Sequence, residues 1–168
     1  MTHFSSKSSK KGLFSTIFAS LLLILAIFSL TACNKTEACK LTATYTKDTN
    51  TTQRTAMVAY CTANNIDYTI DSSGVLYQIV TPGSSTKVNL CQSLSITYTG
   101  KLLTGTVFDA GTFSASLSQL VTGWQIAVPK IGKGGHMKIL IPSSLAYGSQ
   151  ANGSIPANSP LFFDIILN

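Results

Sequence analysis

Charge is scarce in this chain, and acidic charge scarcest. Only 11% of the 168 residues are Asp, Glu, Lys or Arg, and six of those are acidic. A paired-carboxylate site has almost nothing to be built from. Asp109 and Asp164 alone fall among the aromatic clusters of the C-terminal half, and Asp164 follows an inward-pointing Phe163, so it should face outward. Histidine is rarer still: His3 and His136. With no Cys-x-x-Cys either, a zinc or haem site is unsupported, and neither metal nor cofactor is expected. A Ser-His-Asp triad would have to use His136, which lies in a Gly-rich turn beside Lys133 and Lys138. Gly132-Lys133-Gly134-Gly135 lacks the Gly-Lys-Ser/Thr helix start of a phosphate loop and precedes a strand, so it reads as a β-turn. No Lys/Arg cluster follows Lys11, which leaves nucleic acid without a footprint.

What is present begins with a leader-like segment. Lys7, Lys10 and Lys11 form a basic start, Leu13 to Leu30 is mostly apolar and uncharged, and Leu30-Thr31-Ala32-Cys33 follows. A basic region, an apolar region and small residues make an export signal. Leu-Thr-Ala-Cys resembles a bacterial lipobox, which implies removal of residues 1–32, a lipid on Cys33 and a place in the bacterial cell envelope. An uncleaved membrane helix is the alternative, since the 18 apolar residues could just span a bilayer. From Cys33 onward nine of the 12 basic and all six acidic residues remain, a net charge of +3 that serves solubility. That stretch is long enough for one domain, expected as a monomer.

Residues 33–52 hold many threonines and few apolar groups and read as a tether. If flexible, it would reach about 25 Å. Residues 53–73 read as a short helix and a turn: Met57, Tyr60 and Cys61 follow helical spacing, Asn64-Asn65 ends it, and Asp71-Ser72-Ser73-Gly74 turns. Export implies an oxidising compartment. A Cys61–Cys91 disulfide is favoured over the other two pairings of Cys39, Cys61 and Cys91, because Cys61 lies on the helix and Cys91 at the entrance to a strand it could cover.

Residues 74–168 are expected to fold as the main domain. Val75 to Val80 reads as a strand. Leu94, Ile96 and Tyr98 alternate with Ser95, Thr97 and Thr99; Met137, Ile139 and Ile141 alternate with Lys138 and Leu140; Leu161, Phe163, Ile165 and Leu167 form the inward face of the last strand. Only Val121 to Val128 looks helical, and Pro129 stops it. The fold class is therefore α+β, an antiparallel sheet packed on a short central helix.

Four clusters carry the functional signal: Tyr98-Thr99-Gly100, Val107-Phe108-Asp109, Leu120-Val121-Thr122-Gly123-Trp124 and Ala146-Tyr147-Gly148, ahead of Leu161 to Leu167. Aromatic rings beside glycines with little charge suit an apolar, ring-lined cavity. With Gly105 opening a Gly-x-x-Phe-Asp strand and an Ile-Pro loop at Ile155, the set resembles the FKBP-type peptidyl-prolyl cis-trans isomerases, the macrolide-binding immunophilins, over roughly Gly74 to Asn168. The resemblance implies a half-wrapped sheet with the pocket between sheet and helix. It also implies proline-containing polypeptide clients and macrolide ligands.

Residue by residue, the resemblance makes Tyr98, Phe108 and Phe163 walls, Trp124 the floor under a prolyl ring, and Tyr147 a hydroxyl donor to a ligand carbonyl. It makes the Val121 N–H a second donor with Leu120 beside it. Phe113 becomes a further wall, Ile155 a loop residue over the pocket, and Asp109 a buried carboxylate at the rim. The sequence departs from many relatives where only Ala110, Gly111 and Thr112 separate Asp109 from Phe113. The loop there is shorter and carries no arginine, which implies a more open rim.

An apolar pocket with no acid, base or metal can still speed one reaction. Rotation about an Xaa-Pro bond is opposed by amide resonance, with a barrier near ~20 kcal/mol. The twisted amide has the less polar carbonyl, so an apolar cavity favours it. A 10⁴-fold acceleration needs roughly 5.5 kcal/mol of that preference. The alternative is a chaperone or binding module of the same fold with weak or no isomerase activity.

Overall fold

A computed structural model describes residues 45–168. The segments assigned above to the signal, residues 1–32, to Cys33 and to most of the tether lie outside the described residues. The elements are α1 (Thr51–Ala63), β1 (Thr69–Ile70), β2 (Leu76–Thr81), β3 (Ser93–Leu102), β4 (Val107–Ser116), α2 (Thr122–Ala127), β5 (His136–Ile141) and β6 (Leu161–Leu167), with 3-10 turns at Leu117–Gln119, Val128–Lys130 and Ser143–Leu145. The six strands form one antiparallel sheet in the order β1-β2-β5-β6-β3-β4. Among the described residues no helix is long and apolar enough to cross a membrane.

Strand alternation sorts the side chains into two layers. Ile96, Met137, Ile139, Ile141, Leu161, Phe163, Ile165 and Leu167 bury on the inner face with Trp124, Ala127 and Val128. Helix α2 lies close against β5, and only glycine permits it: a Cβ on Gly123 would stand 2.4 Å from Ile141 Cγ2. Pro129 sits in the 3-10 turn that ends α2, where its missing N–H costs nothing.

The outer face is covered too. Met57 and Cys61 of α1 pack with Leu76, Leu140 and Phe162, and the Tyr60 and Phe162 rings lie 5.3 Å apart. The two faces of β6 therefore meet different layers: Leu161, Phe163, Ile165 and Leu167 the inner one and Phe162 the outer, with Asp164 on the outer face beside His136. Asn50 caps α1 by accepting from the Gln53 N–H at 3.0 Å. The helix therefore starts two residues before the expected 53.

The end of the expected tether is held against the domain. Tyr45 packs on the inner core. Asp48 is 6% exposed, donates its N–H to Ser73 O at 2.9 Å and accepts from Ser144 Oγ at 3.0 Å. Gln53 binds Ser143 through its N–H, accepting at 2.9 Å, and its Oγ, donating at 2.8 Å. The expected boundary between helix and main domain is thus bridged, and β1 begins the sheet before Gly74.

The Cys61–Cys91 disulfide is absent. Cys61 is a buried free thiol, whereas Cys91 is disulfide-bonded to a partner outside the described residues. The sheet separates the two: Cys61 belongs to the outer layer, while Leu90 and Leu94, which flank Cys91, belong to the inner one. Layers pack about 10 Å apart, beyond the ~6 Å typical between bridged Cα atoms.

Candidate active site

Nine side chains meet between the inner face of β3, β4 and β6 and the start of α2: Tyr98, Phe108, Asp109, Phe113, Leu120, Val121, Trp124, Tyr147 and Phe163. They enclose a cleft of about 120 Å³. That is the space of roughly four waters, the scale of one small ring.

Register explains how strands deliver this set. Tyr98 opposes Gly111, Ile96 opposes Phe113 and Gly100 opposes Asp109 across β3 and β4, so Tyr98, Asp109 and Phe113 share the inner face. Between Gly100 and Lys101 the pairing slips and Phe108 is the extra residue. Such a bulge re-aims a side chain, which lets Phe108 line the cleft although its neighbour Asp109 does too. Gly100 makes room: a Cβ there would come within 2.6 Å of the Phe108 ring and 3.0 Å of Phe163.

The rings hold one another edge to face. Trp124 lies 5.2 Å from Phe163 at 85° and 5.7 Å from Tyr98 at 78°. Tyr98 meets Phe113 at 5.3 Å and 87°, and Phe108 meets Phe163 at 5.6 Å and 88°. These are favourable quadrupole geometries, and they clamp Trp124, which is 4% exposed, as the floor. Its indole Nε1 is buried without a hydrogen-bond partner among the described residues. Ring packing therefore fixes its orientation at the cost of an unsatisfied donor.

Polar groups sit at the rim. The Tyr98 hydroxyl donates to Asp109 Oδ2. Burial first, then this bond and the Asp109 charge, push the Tyr98 hydroxyl up to about 12. Tyr147 is raised by burial and by Asp109, and the residue, 37% exposed, lines the cleft. Val121 precedes α2 in an extended conformation, and among the described residues its N–H donates no backbone hydrogen bond. The buried Gln125 amide donates to Leu120 O at 2.7 Å and so fixes the loop carrying Leu120 and Val121.

Two expectations need correction. Asp109 is exposed, and β4 runs straight on from it to Ser116. Ile155 does not line the cleft. A bridge between Asn152 and Ile155, with both N–H···O bonds at 2.9 Å, turns it into the core at 6% exposed. Sequence reasoning missed Gln125 and the bulge at Phe108; register is not visible in composition. Asp164 faces outward and pairs with His136 at 2.5 Å, on the far side of the sheet from the cleft. The Gly132–Gly135 segment is a turn, closed by Gly135 N–H to Gly132 O at 2.9 Å.

Residues 84–168 match the model of the FKBP-type peptidyl-prolyl cis-trans isomerase family. The chain belongs to that family. Similar curated proteins include the FKBP-type peptidyl-prolyl cis-trans isomerase FkpA of Aeromonas hydrophila, 37% identical over 100 residues that make up 56% of this chain and 37% of that protein. The FkpA of Buchnera aphidicola from Schizaphis graminum is 38% identical over 102 residues, 57% of this chain and 40% of that one. The chain thus matches less than half the length of these curated FKBP relatives. Among solved structures, FkpA from Escherichia coli superposes with a TM-score of 0.61 at 26% identity, covering 96% of this chain and 73% of that one. A peptidyl-prolyl cis-trans isomerase from Pseudomonas syringae gives 0.59 at 25% identity, covering 73% and 96%. The FKBP fold expected from sequence is the fold observed.

Proposed function

We propose that the protein is a prolyl isomerase that accelerates Xaa-Pro rotation in exported, proline-containing polypeptides. The observation that carries this reading is the ring-lined cleft of about 120 Å³, in which Tyr98, Phe108, Phe113, Trp124 and Phe163 meet with Asp109 and Tyr147. A prolyl ring lies on the Trp124 indole between Tyr98, Phe108 and Phe163. The Val121 N–H and the Tyr147 hydroxyl hold flanking carbonyls. The Xaa-Pro amide, out of water, twists toward its less polar state, and no proton need move. A macrolide of the immunophilin-ligand class would insert one ring and lay its remainder over the rim.

The second part of the proposal concerns placement. The basic, apolar and small-residue order ending at Cys33 supports an exported lipoprotein of the bacterial envelope, with lipid on Cys33 and residues 1–32 removed.

A protease-coupled assay on an Xaa-Pro tetrapeptide tests the activity. Acceleration, competition by a macrolide and quenching of Trp124, the only tryptophan, are expected. A folded protein without acceleration would leave only the binding module. Mass spectrometry of the envelope fraction should find Cys33 as a lipidated N-terminus and an unprocessed chain in Cys33→Ser.

A further inference from the structure

β4 ends the sheet, and among the described residues it pairs with β3 alone. Its outward groups can be assigned. Asn168 donates its N–H to Ser95 O at 2.9 Å, so Ser95 aims its backbone toward β6. Leu167, which opposes Ile96, bonds instead with Gly134 and Gly135 on the other side, at 2.7 and 2.9 Å. Antiparallel strands alternate in this way. Ser95, Thr97 and Thr99 therefore face β6, and their β4 partners Ser114, Thr112 and Ala110 turn their N–H and C=O groups away from the sheet. All three residues are exposed.

Exposed edges are ordinarily defended by lysine, proline, a bulge or shortness. β4 is ten residues long, contains no Lys, Arg, Glu or Pro, and keeps unbroken register from Asp109 to Ser116. Its one charge, Asp109, is engaged by the Tyr98 hydroxyl. The same strand walls the cleft with Phe108, Asp109 and Phe113. Between the last two stands Gly111, where an added Cβ would meet nothing within 4 Å. The rim thus has a gap midway along the open edge.

We propose that this edge docks clients: an extended, unfolded polypeptide segment adds to the sheet through Ala110, Thr112 and Ser114, about 4.8 Å from β4. The chain then turns at the Gly111 gap to place its proline in the cleft. Backbone hydrogen bonds supply affinity without reading sequence, which suits a protein that meets many unfolded chains. This rests on the isomerase reading for its consequence, and not for the docking itself.

Two measurements test it. Thr112→Pro removes an outward donor and no backbone bond to β3; Thr112→Val keeps the strand and removes only the hydroxyl that bonds Thr97 Oγ1 at 2.8 Å, the side-chain loss that the proline variant shares. The ratio of the rate on a proline-limited refolding protein to the rate on a blocked tetrapeptide should fall about tenfold in Thr112→Pro, the scale of one or two net hydrogen bonds, and hold in Thr112→Val. In the unaltered protein, a ten-residue proline-containing peptide should slow amide exchange at Ala110, Thr112 and Ser114 about tenfold while leaving Gly111 and Phe113 as they were. Edge amides that exchange equally fast with the peptide overturn the proposal, as do edge amides already protected in the protein alone by a second copy or by its own N-terminal residues. If the unaltered protein fails on the tetrapeptide, the isomerase reading fails, and the exchange pattern still decides the edge.

Discussion

Phe108 carries the clearest single-residue test. It faces the cleft from a bulge on an edge strand and is only half-buried, so its loss should cost function more than stability. Phe108→Ala should reduce kcat/KM on a tetrapeptide about tenfold, equivalent to roughly 1.4 kcal/mol of transition-state preference, with a thermal midpoint close to that of the parent. Trp124 is different: its ring touches Tyr98, Phe113 and Phe163, so Trp124→Leu is the substitution that keeps apolar volume while removing the floor. The rate should be flat from about pH 6 to 8. Burial and Asp109 hold the Tyr98 hydroxyl up at about 12, so it keeps its proton throughout, and His136 is on the opposite face with Asp164. A steep pH-rate profile in folded protein would move the chemistry elsewhere. That Tyr98, Phe108, Asp109, Phe113, Leu120, Val121, Trp124, Tyr147 and Phe163 would gather around one cleft was legible, because residue type and order are what specify a ring-lined cleft. The exposure of Asp109 was not, because it depends on β4 running on past it as one continuous strand, and the inward turn of Ile155 was not, because it depends on how its loop closes on Asn152.

At the scale of elements, helix α1 separates what periodicity can and cannot say. The spacing of Met57, Tyr60 and Cys61 marked a helix with one apolar face, and Met57 and Cys61 are indeed fully buried. Periodicity does not say which face of the sheet the helix covers. It covers the outer one, and so Cys61 cannot reach Cys91. Met57→Ala should destabilise the fold by about 2–5 kcal/mol, as deletions of buried side chains do, while a domain that remains folded keeps the cleft intact on the other face. The thiol chemistry follows from the same packing. Burial pushes the Cys61 thiol up to about 11, so it should resist a disulfide-exchange reagent at neutral pH until the protein unfolds. Non-reducing peptide mapping should find Cys91 oxidised and Cys61 free; a Cys61–Cys91 peptide would reverse the assignment. β6 was the most legible element, since Leu161, Phe163, Ile165 and Leu167 alternate as a strand's inner face does, and all four are buried.

At the scale of the whole molecule charge is scarce, and among the described residues Lys130–Asp71 and His136–Asp164 are the ion pairs. Lys130, at the end of α2's 3-10 extension, meets Asp71 at 2.9 Å and also lies 4.9 Å from the Tyr77 ring centroid. The pair fastens the turn before β2 to the element that carries the cleft floor. Burial by itself would raise the Asp71 carboxyl; hydrogen bonds from Lys130 and Ser73 and the Lys130 charge outweigh it and hold the carboxyl below its ordinary value. A carboxyl lowered in the folded state binds its proton less readily than in the unfolded chain. Its contribution is therefore complete above the unfolded value, near about 4, and disappears as pH falls through the lowered one. Asp71→Asn should be less stable than the parent at pH 7, and the gap should narrow toward about pH 2 as the carboxyl takes up its proton. Urea midpoints at the two pH values read this directly. An equal gap at both would mean that Asp71 acts through the shape of its turn, where it accepts the Ser73 N–H at 2.9 Å, and that its charge is incidental to how the N-terminal elements are fastened to the FKBP core.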